Sequence, residues 1–377
     1  MNNLLTIPPL SLYIHYPWCL KKCPYCDFNS HEGEVKTGYI NALIEDLEGD
    51  LKYVQNRAIE SIFIGGGTPS LMSTEDANDL IDGLKERLTF SDNVEITMEA
   101  NPGTFEVEKF AEFRNIGINR LSIGVQSFED RQLKFLGRVH SSNEAINAIK
   151  EAQRVGFKNL NIDLMYGLNG QSIDMCIEDL NKAIELNPSH ISFYQLTLEP
   201  NTLFSKFPPR LPSEEVIWEM GEKGANLLNK KGFRQYEVSA YSTTPSIHNL
   251  NYWTFGDYIG IGAGAHGKIT DMNTHQIFRT LKLKSPNEYL LSFKKNKKIS
   301  RKKMVDSLSF EFMLNGLRLI DGFDSGLYES RTGLSIESVR SQIIKAEKLN
   351  LLDTRDNWIK PTKSGYSFLN ELQEIFL

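Results

Sequence analysis

Cys19, Cys23 and Cys26 stand within eight residues of one another, in LSLYIHYPWCLKKCPYCDFNSH (residues 10–31), and they are three of the chain's four cysteines. Thiolates packed this densely on one loop repel one another unless a metal or a disulfide neutralises them. Three is the wrong number for disulfides, which leaves a metal. A structural zinc site closes with four ligands, and iron–sulfur clusters normally take four thiolates. Three protein thiolates on a four-iron cluster leave one iron open, where a substrate or cofactor can bind. The fourth, Cys176, lies in the helical pattern SIDMCIEDLNKAIEL and reads as a small core residue.

The C-x3-C-x2-C spacing, with Tyr25 between the last two cysteines, resembles the cluster loop of the radical S-adenosylmethionine (SAM) enzymes. In that superfamily the open iron is chelated by the amino and carboxylate groups of SAM, and an electron from the cluster cleaves the sulfonium. A zinc loop completed by His15 or His31 is the competing account, but the motifs further along the chain fit SAM.

Such a loop needs a rigid base. The apolar run Leu10 to Ile14 reads as a buried strand ended by Pro17. TGYINALIEDLEGDLKYV follows as the first helix, and IESIFIGGGTPS as a strand running into three glycines. Helices at 74–88, 106–116, 142–155 and 172–186 then alternate with VEITMEANP, RLSIGVQSF, NLNIDLMYG and HISFYQLTLEP. A long helix at 213–231 leads to RQYEVSAY. Strand followed by helix, many times over, predicts an α/β fold with a parallel sheet or β/α barrel.

Polar and glycine residues fall at the carboxyl ends of these strands: Gly65, Gly66, Gly67 and Thr68, then Glu99 and Asn101, then Gln126 and Ser127. Asp163 and Gln195 stand towards the same end of the next two. Barrels of this kind assemble their sites at that end, so all these groups and the cysteine loop should share one mouth. GGGTP (65–69) lets backbone approach a ligand closely. GIGAGAHG (260–267) has G-x-G-x-x-G spacing, but no strand with an acidic residue follows at the distance a dinucleotide site needs. It reads as a tight segment closing the barrel region. PSIHNLNYWTF (245–255) crowds His248, Tyr252 and Trp253 together. An imidazole for iron and two flat rings suit a porphyrin, with core packing as the competing reading. His266 is a second candidate ligand.

Composition sets the outer limits. A chain of 377 residues with 40% hydrophobic and 24% charged content suits one large soluble domain and a smaller one. Net charge of −6 gives no general attraction to nucleic acid or acidic membrane. No apolar run has the length of a membrane span, and clustered free cysteines point to a reducing, cytoplasmic compartment. Lys294 to Lys303 is a basic run that reads as a linker. Residues 304–377 give helices near 304–319, 324–331 and 335–349, then a pair of strands and a helix, an order that resembles a winged-helix domain. That region carries eight basic and eleven acidic residues, a balance of −3. Phosphate binding requires a cationic face, so the domain reads as structural or protein-binding, with no nucleic-acid partner.

Together LYIHYPWCLKKCPYCDF, FIGGGTPS, MEANP, GVQSF, LGRVH, NIDLMYGL and GIGAGAHG resemble the oxygen-independent coproporphyrinogen III oxidase family of radical SAM proteins, over nearly the whole chain. The resemblance implies a partial (β/α) barrel of the radical SAM type over 1–240 and a barrel-closing segment with the haem motif over 241–290. A basic linker at 291–303 and a winged-helix-like α+β domain at 304–377 would follow. It implies a [4Fe-4S] cluster on Cys19, Cys23 and Cys26, with Tyr13, Gly66 and Glu99 against the cluster-bound SAM. Gly67, Thr68, Gln126, Arg138 and Asp163 match positions around a second SAM in the oxidase, and Tyr25 would shield the cluster and pack on adenine.

Two branches then separate. The oxidase carries a further cysteine two residues after the third, where this chain has Phe28, and a longer N-terminal extension. HNLNYW (248–253) instead matches the HNxxYW haem signature of the family's haem chaperone branch. Asn169, where proline commonly follows Tyr-Gly-Leu, departs from the pattern only at a loop rim. The expectation is a haem chaperone with His248 on the iron and Tyr252 and Trp253 as porphyrin walls. Its partner would be a haem-acceptor protein, placed in the respiratory chain, with transient membrane contact. The alternative is oxidative decarboxylation of coproporphyrinogen propionates.

Overall fold

The computed structural model describes residues 4–103, 107–295 and 300–377. Its frame is one twelve-stranded sheet. In chain order the strands are Leu10–Tyr16 (β1), Ile59–Gly66 (β2), Phe90–Ala100 (β3), Arg120–Gln126 (β4), Asn159–Tyr166 (β5) and His190–Gln195 (β6). Arg234–Glu237 (β7), Ala240–Ser242 (β8), Asp257–Ile261 (β9), His266–Asp271 (β10), Gln276–Lys282 (β11) and Ser300–Met304 (β12) complete it. The spatial order is β12-β11-β10-β9-β1-β2-β3-β4-β5-β6-β8-β7, so β7 and β12 are its free edges. The run from β9 through β1 to β6 is parallel, and both ends add antiparallel strands. The result is a partial barrel, wrapped on its outer face by the helices.

Local chemistry starts each helix where the alternation predicts one. Ser73, Ser141, Ser172 and Ser213 each stand one residue before a helix and accept a hydrogen bond from an N–H of its first turn. Ser141 and Glu144 form a reciprocal capping box. The helices pack apolar stripes against the outward strand residues Leu12, Ile14, Ile62 and Ile64, which are fully buried.

Side chains alternate along a strand, so the barrel interior takes the other set, and that set is polar. Ser11 meets Ser61 at 2.7 Å, Asn161 donates to Ser122 and Asp163, and His190 bridges Asn161 (2.6 Å) and Tyr236 (2.9 Å). Most groups buried inside find partners on neighbouring strands, though Arg120 Nε and His248 Nε2 make no hydrogen bond.

Three expectations change. RQYEVSAY is a hairpin of two short strands, β7 and β8, added antiparallel to β6. The barrel-closing segment supplies three further strands: β9 pairs in parallel with β1, β10 and β11 extend the sheet beyond it, and β12, from past the segment, adds the edge. The expected linker at 291–303 therefore runs into the edge strand Ser300–Met304, while its residues 296–299 lie outside the described residues. Beyond the sheet, Leu308–Gly316, Ser325–Thr332 and Arg340–Lys348 are helices around a second core, joined by a three-stranded antiparallel sheet from Phe323–Asp324, Leu352–Arg355 and Trp358–Pro361. Phe255, from the barrel side, inserts into this core against Phe312.

Candidate functional site

The cysteine loop leaves the carboxyl end of β1 and folds over the mouth of the barrel. Non-cysteine contacts hold it there. The Lys22 ammonium donates to the carbonyls of Phe28 (2.9 Å) and Ser30 (3.2 Å), and the Asn29 amide donates to those of Ala263 and Lys284. All three loop cysteines are free thiols lining one cavity of about 400 Å³.

The same cavity is walled by Tyr25, Gly66, Gly67, Thr68, Glu99, Gln126, Arg138 and Asp163. Eight of the nine residues expected at SAM thus converge with the cysteines. Tyr13 stands apart: its hydroxyl bonds His15 Nδ1 (2.9 Å), and it lines a neighbouring cavity. Gln195 faces outward, because on β6 residues 190, 192 and 194 are the inward set. Tyr194 takes its place, donating to Gln126 at 2.7 Å. Strand alternation alone would have selected it.

Electrostatics sort the wall. The Arg138 guanidinium donates to Asn101 (2.6 Å), the Gly124 carbonyl (2.8 Å) and the Cys23 sulfur (3.7 Å). That last contact sets a guanidinium against one of the three loop sulfurs. Burial raises the pKa of Cys19 and Cys26, partly offset by hydrogen bonds from Thr68 and Ser30 to Cys19 and from Ser30 to Cys26. Burial also pushes Glu99 up to about 7, helped by Asp163 and opposed by the N–H of Gly66, which donates to its carboxylate at 2.9 Å.

The donor set fits an open-iron cluster. Three thiols of one short loop share the cavity, with a cation at one of them, polar strand ends behind them and Gly66–Gly67 backbone beside them. His15 does not complete a zinc site, because both of its nitrogens are engaged, Nε2 with the Asn29 carbonyl at 3.0 Å, whereas His31 keeps an unpartnered Nε2. Among the described residues no three His, Cys, Asp or Glu side chains meet closely enough to hold a single ion.

The glycine loop is closed against this mouth. A Cβ on Gly67 would lie 2.5 Å from the Trp18 carbonyl oxygen and 2.8 Å from the Pro17 carbonyl carbon, both backbone atoms of the strand end that launches the cysteine loop. Gly67→Ala should therefore cost about 1–3 kcal/mol, read as a lowered midpoint in denaturant unfolding with native-like helix content.

The residues expected to hold haem do not share a surface. His248 sits on the helix Ile247–Trp253, which plugs the barrel floor with its N-terminus on Glu95. Its ring is 1% exposed, with Nδ1 bonded to Ser61 (2.9 Å) and a face against Phe63. Trp253 lies 4.3 Å from the Arg318 guanidinium of the C-terminal unit. Only Tyr252 reaches a cavity, one of about 860 Å³ that adjoins the cysteine cavity. His248 and Tyr252, four apart, share a helix face while Trp253 turns off it, and depth along that face, which composition does not disclose, separates the first two.

Residues 13–183 match the model of the Radical SAM superfamily, and residues 306–368 that of the HemN C-terminal domain. The chain is 46% identical over 381 residues to the heme chaperone HemW of Escherichia coli, covering 99% of this chain and 100% of that one. It is 47% identical to the heme chaperone HemW of Haemophilus influenzae (98% and 98% covered) and 32% identical to that of Bacillus subtilis (97% and 99%). The fold is shared with the solved coproporphyrinogen III oxidase HemN of Escherichia coli, with a TM-score of 0.82 over 98% of this chain and 90% of that one, at 21% identity. No described helix is long and apolar enough to cross a membrane. With relatives this similar over its entire length, the chain belongs to the HemW heme-chaperone family of the radical SAM superfamily.

Proposed function

We propose that this chain binds haem and hands it to an acceptor protein, with a SAM-ligated [4Fe-4S] cluster at the barrel mouth. The carrying observation is the full-length likeness to the heme chaperones, coupled to a mouth where the cysteine cavity opens beside a second, larger one. Cys19, Cys23 and Cys26 would hold the cluster, whose chemistry when bound is one-electron reduction of the SAM sulfonium. Backbone at Gly66 and Gly67 leaves room for the methionine part, and Glu99 offers a carboxylate to its cationic groups. Thr68, Gln126, Arg138 and Asp163 would hold the remainder, and a second SAM if one enters. The acceptor would be a haem protein of the respiratory chain.

Two assays on one anaerobically reconstituted sample test the reading. Stoichiometric haem uptake with a Soret band, transfer to an apo-haem protein and no decarboxylated product support it. Conversion of coproporphyrinogen to protoporphyrinogen in the presence of SAM and reductant would replace it with the oxidase reading.

Glu99 makes SAM binding pH-dependent. A cationic ligand favours the carboxylate, so affinity should rise with pH through about 7 and then level off. Between pH 6 and pH 8 the ionised fraction grows about tenfold, and the SAM Kd should fall by about that factor. In Glu99→Gln the Kd should be flat across this range, as measured by equilibrium binding.

A further inference from the structure

The second cavity, about 860 Å³, lies within the size of small-molecule and cofactor pockets. It shares Lys22, Cys26, Phe28, Ser30, Gly66 and Glu99 with the cysteine cavity, so an occupant would sit against the cluster loop. Its inner wall is aromatic: Tyr252 packs edge-on against Tyr258 at 4.4 Å, and Tyr13 stands beside them. Its outer wall carries His266, at the start of β10, exposed and with no hydrogen bond to its ring among the described residues. Burial, Lys284 and Arg279 hold His266 below the usual imidazole pKa, so the ring offers a lone pair at neutral pH. His31 lines the same cavity with its Nε2 enclosed and unpartnered. Lys284 is an exposed cation on the rim, with no carboxylate partner among the described residues.

Aromatic faces on one wall, a free imidazole and an unpaired cation suit a planar iron macrocycle with carboxylate arms, and the remaining lining is largely polar. We infer that haem sits in this second cavity, beside the cluster loop, with His266 as its axial ligand and Lys284 pairing a propionate. This rests on the haem-binding reading above and gives that reading a place. It also reassigns the HNLNYW segment. His248 lines neither cavity, and its ring meets Tyr252 edge-on at 4.8 Å. His248 is thus a positioning residue, bracing Tyr252 from the barrel floor, while Tyr252 is the wall.

The test titrates hemin into the full-length reconstituted protein and into His266→Ala, His248→Ala and Lys284→Glu. His266→Ala should raise the hemin Kd on the order of tenfold or more and convert the absorption and EPR spectra to those of weakly ligated iron, with free imidazole restoring the original signature. His248→Ala should keep the axial-ligand signature and lose affinity only. Lys284→Glu, a surface change with little bearing on folding, should weaken binding several-fold without changing the ligand spectrum. An unchanged spectrum in His266→Ala, with the signature lost in folded His248→Ala, would place the iron on the floor helix and overturn the inference while leaving haem binding intact. If the parent protein takes up no hemin at all, the haem reading itself fails, and this placement with it.

Discussion

Replacing Cys19, Cys23 or Cys26 singly by alanine takes the iron of anaerobically purified protein from about four per chain towards zero, with the visible absorption lost alongside it. No fourth thiolate stands by in the loop: Phe28 occupies the position two residues past the third cysteine, and both nitrogens of His15 are engaged elsewhere. The fold should survive, because the Lys22 and Asn29 contacts, not the thiols, anchor the loop. Cys176→Ala is the control. That thiol is 1% exposed inside the outer helix layer and pushed up to about 12 by burial, so it should cost stability and no iron.

Asp257→Ala should destabilise the protein by about 3–5 kcal/mol, measured as a shift of the urea midpoint at constant slope. Asp257 opens β9, the strand that joins the parallel array to its antiparallel extension, and it is wholly buried. Its carboxylate takes Lys268 (2.9 Å), Arg57 (2.8 Å) and both the N–H and hydroxyl of Thr270. Removing it strands the Lys268 ammonium, 1% exposed, with only the Phe255 carbonyl and ring for company. The loss comes from the orphaned charge more than from the missing attraction. Asp257→Ala combined with Lys268→Met should therefore recover much of it.

The pair also sets an acid limit. Burial raises the Asp257 pKa, but Lys268, Arg57 and the Thr270 N–H outweigh burial and hold it below the usual carboxylate value. A depressed carboxyl contributes stability above its unfolded pKa and loses that contribution as pH falls through the folded one. This contribution should therefore vanish only in strongly acidic solution.

The cysteine loop and the parallel strands were legible because their signals are local: thiol spacing, apolar runs, glycines at strand ends. So was the convergence of Glu99, Gln126 and Asp163, which follows from the rule that barrel sites gather at carboxyl ends, whereas Arg138, beyond the helix that follows Gln126, was legible only through the family resemblance. The extension β10 to β12 was less legible. β12 is an edge strand whose Arg301, Lys302 and Lys303 face solvent, and lysine on an edge guards against further pairing while erasing hydrophobic alternation. The burial of His248 was hidden for a different reason. Residue types advertise iron ligation, but only the docking of a seven-residue helix onto Ser61 and Phe63 decides where the imidazole points. Gln195 and Tyr194 differ by one position, and strand parity separates the outward residue from the inward one.

Mössbauer spectroscopy of 57Fe-reconstituted protein, recorded with and without SAM, tests most directly the claim of a three-thiolate cluster with one open iron. One iron site in four should change its isomer shift when SAM is added, while the other three stay as they were. Protein that carries zinc without iron or sulfide, or four iron sites all indifferent to SAM, would contradict it.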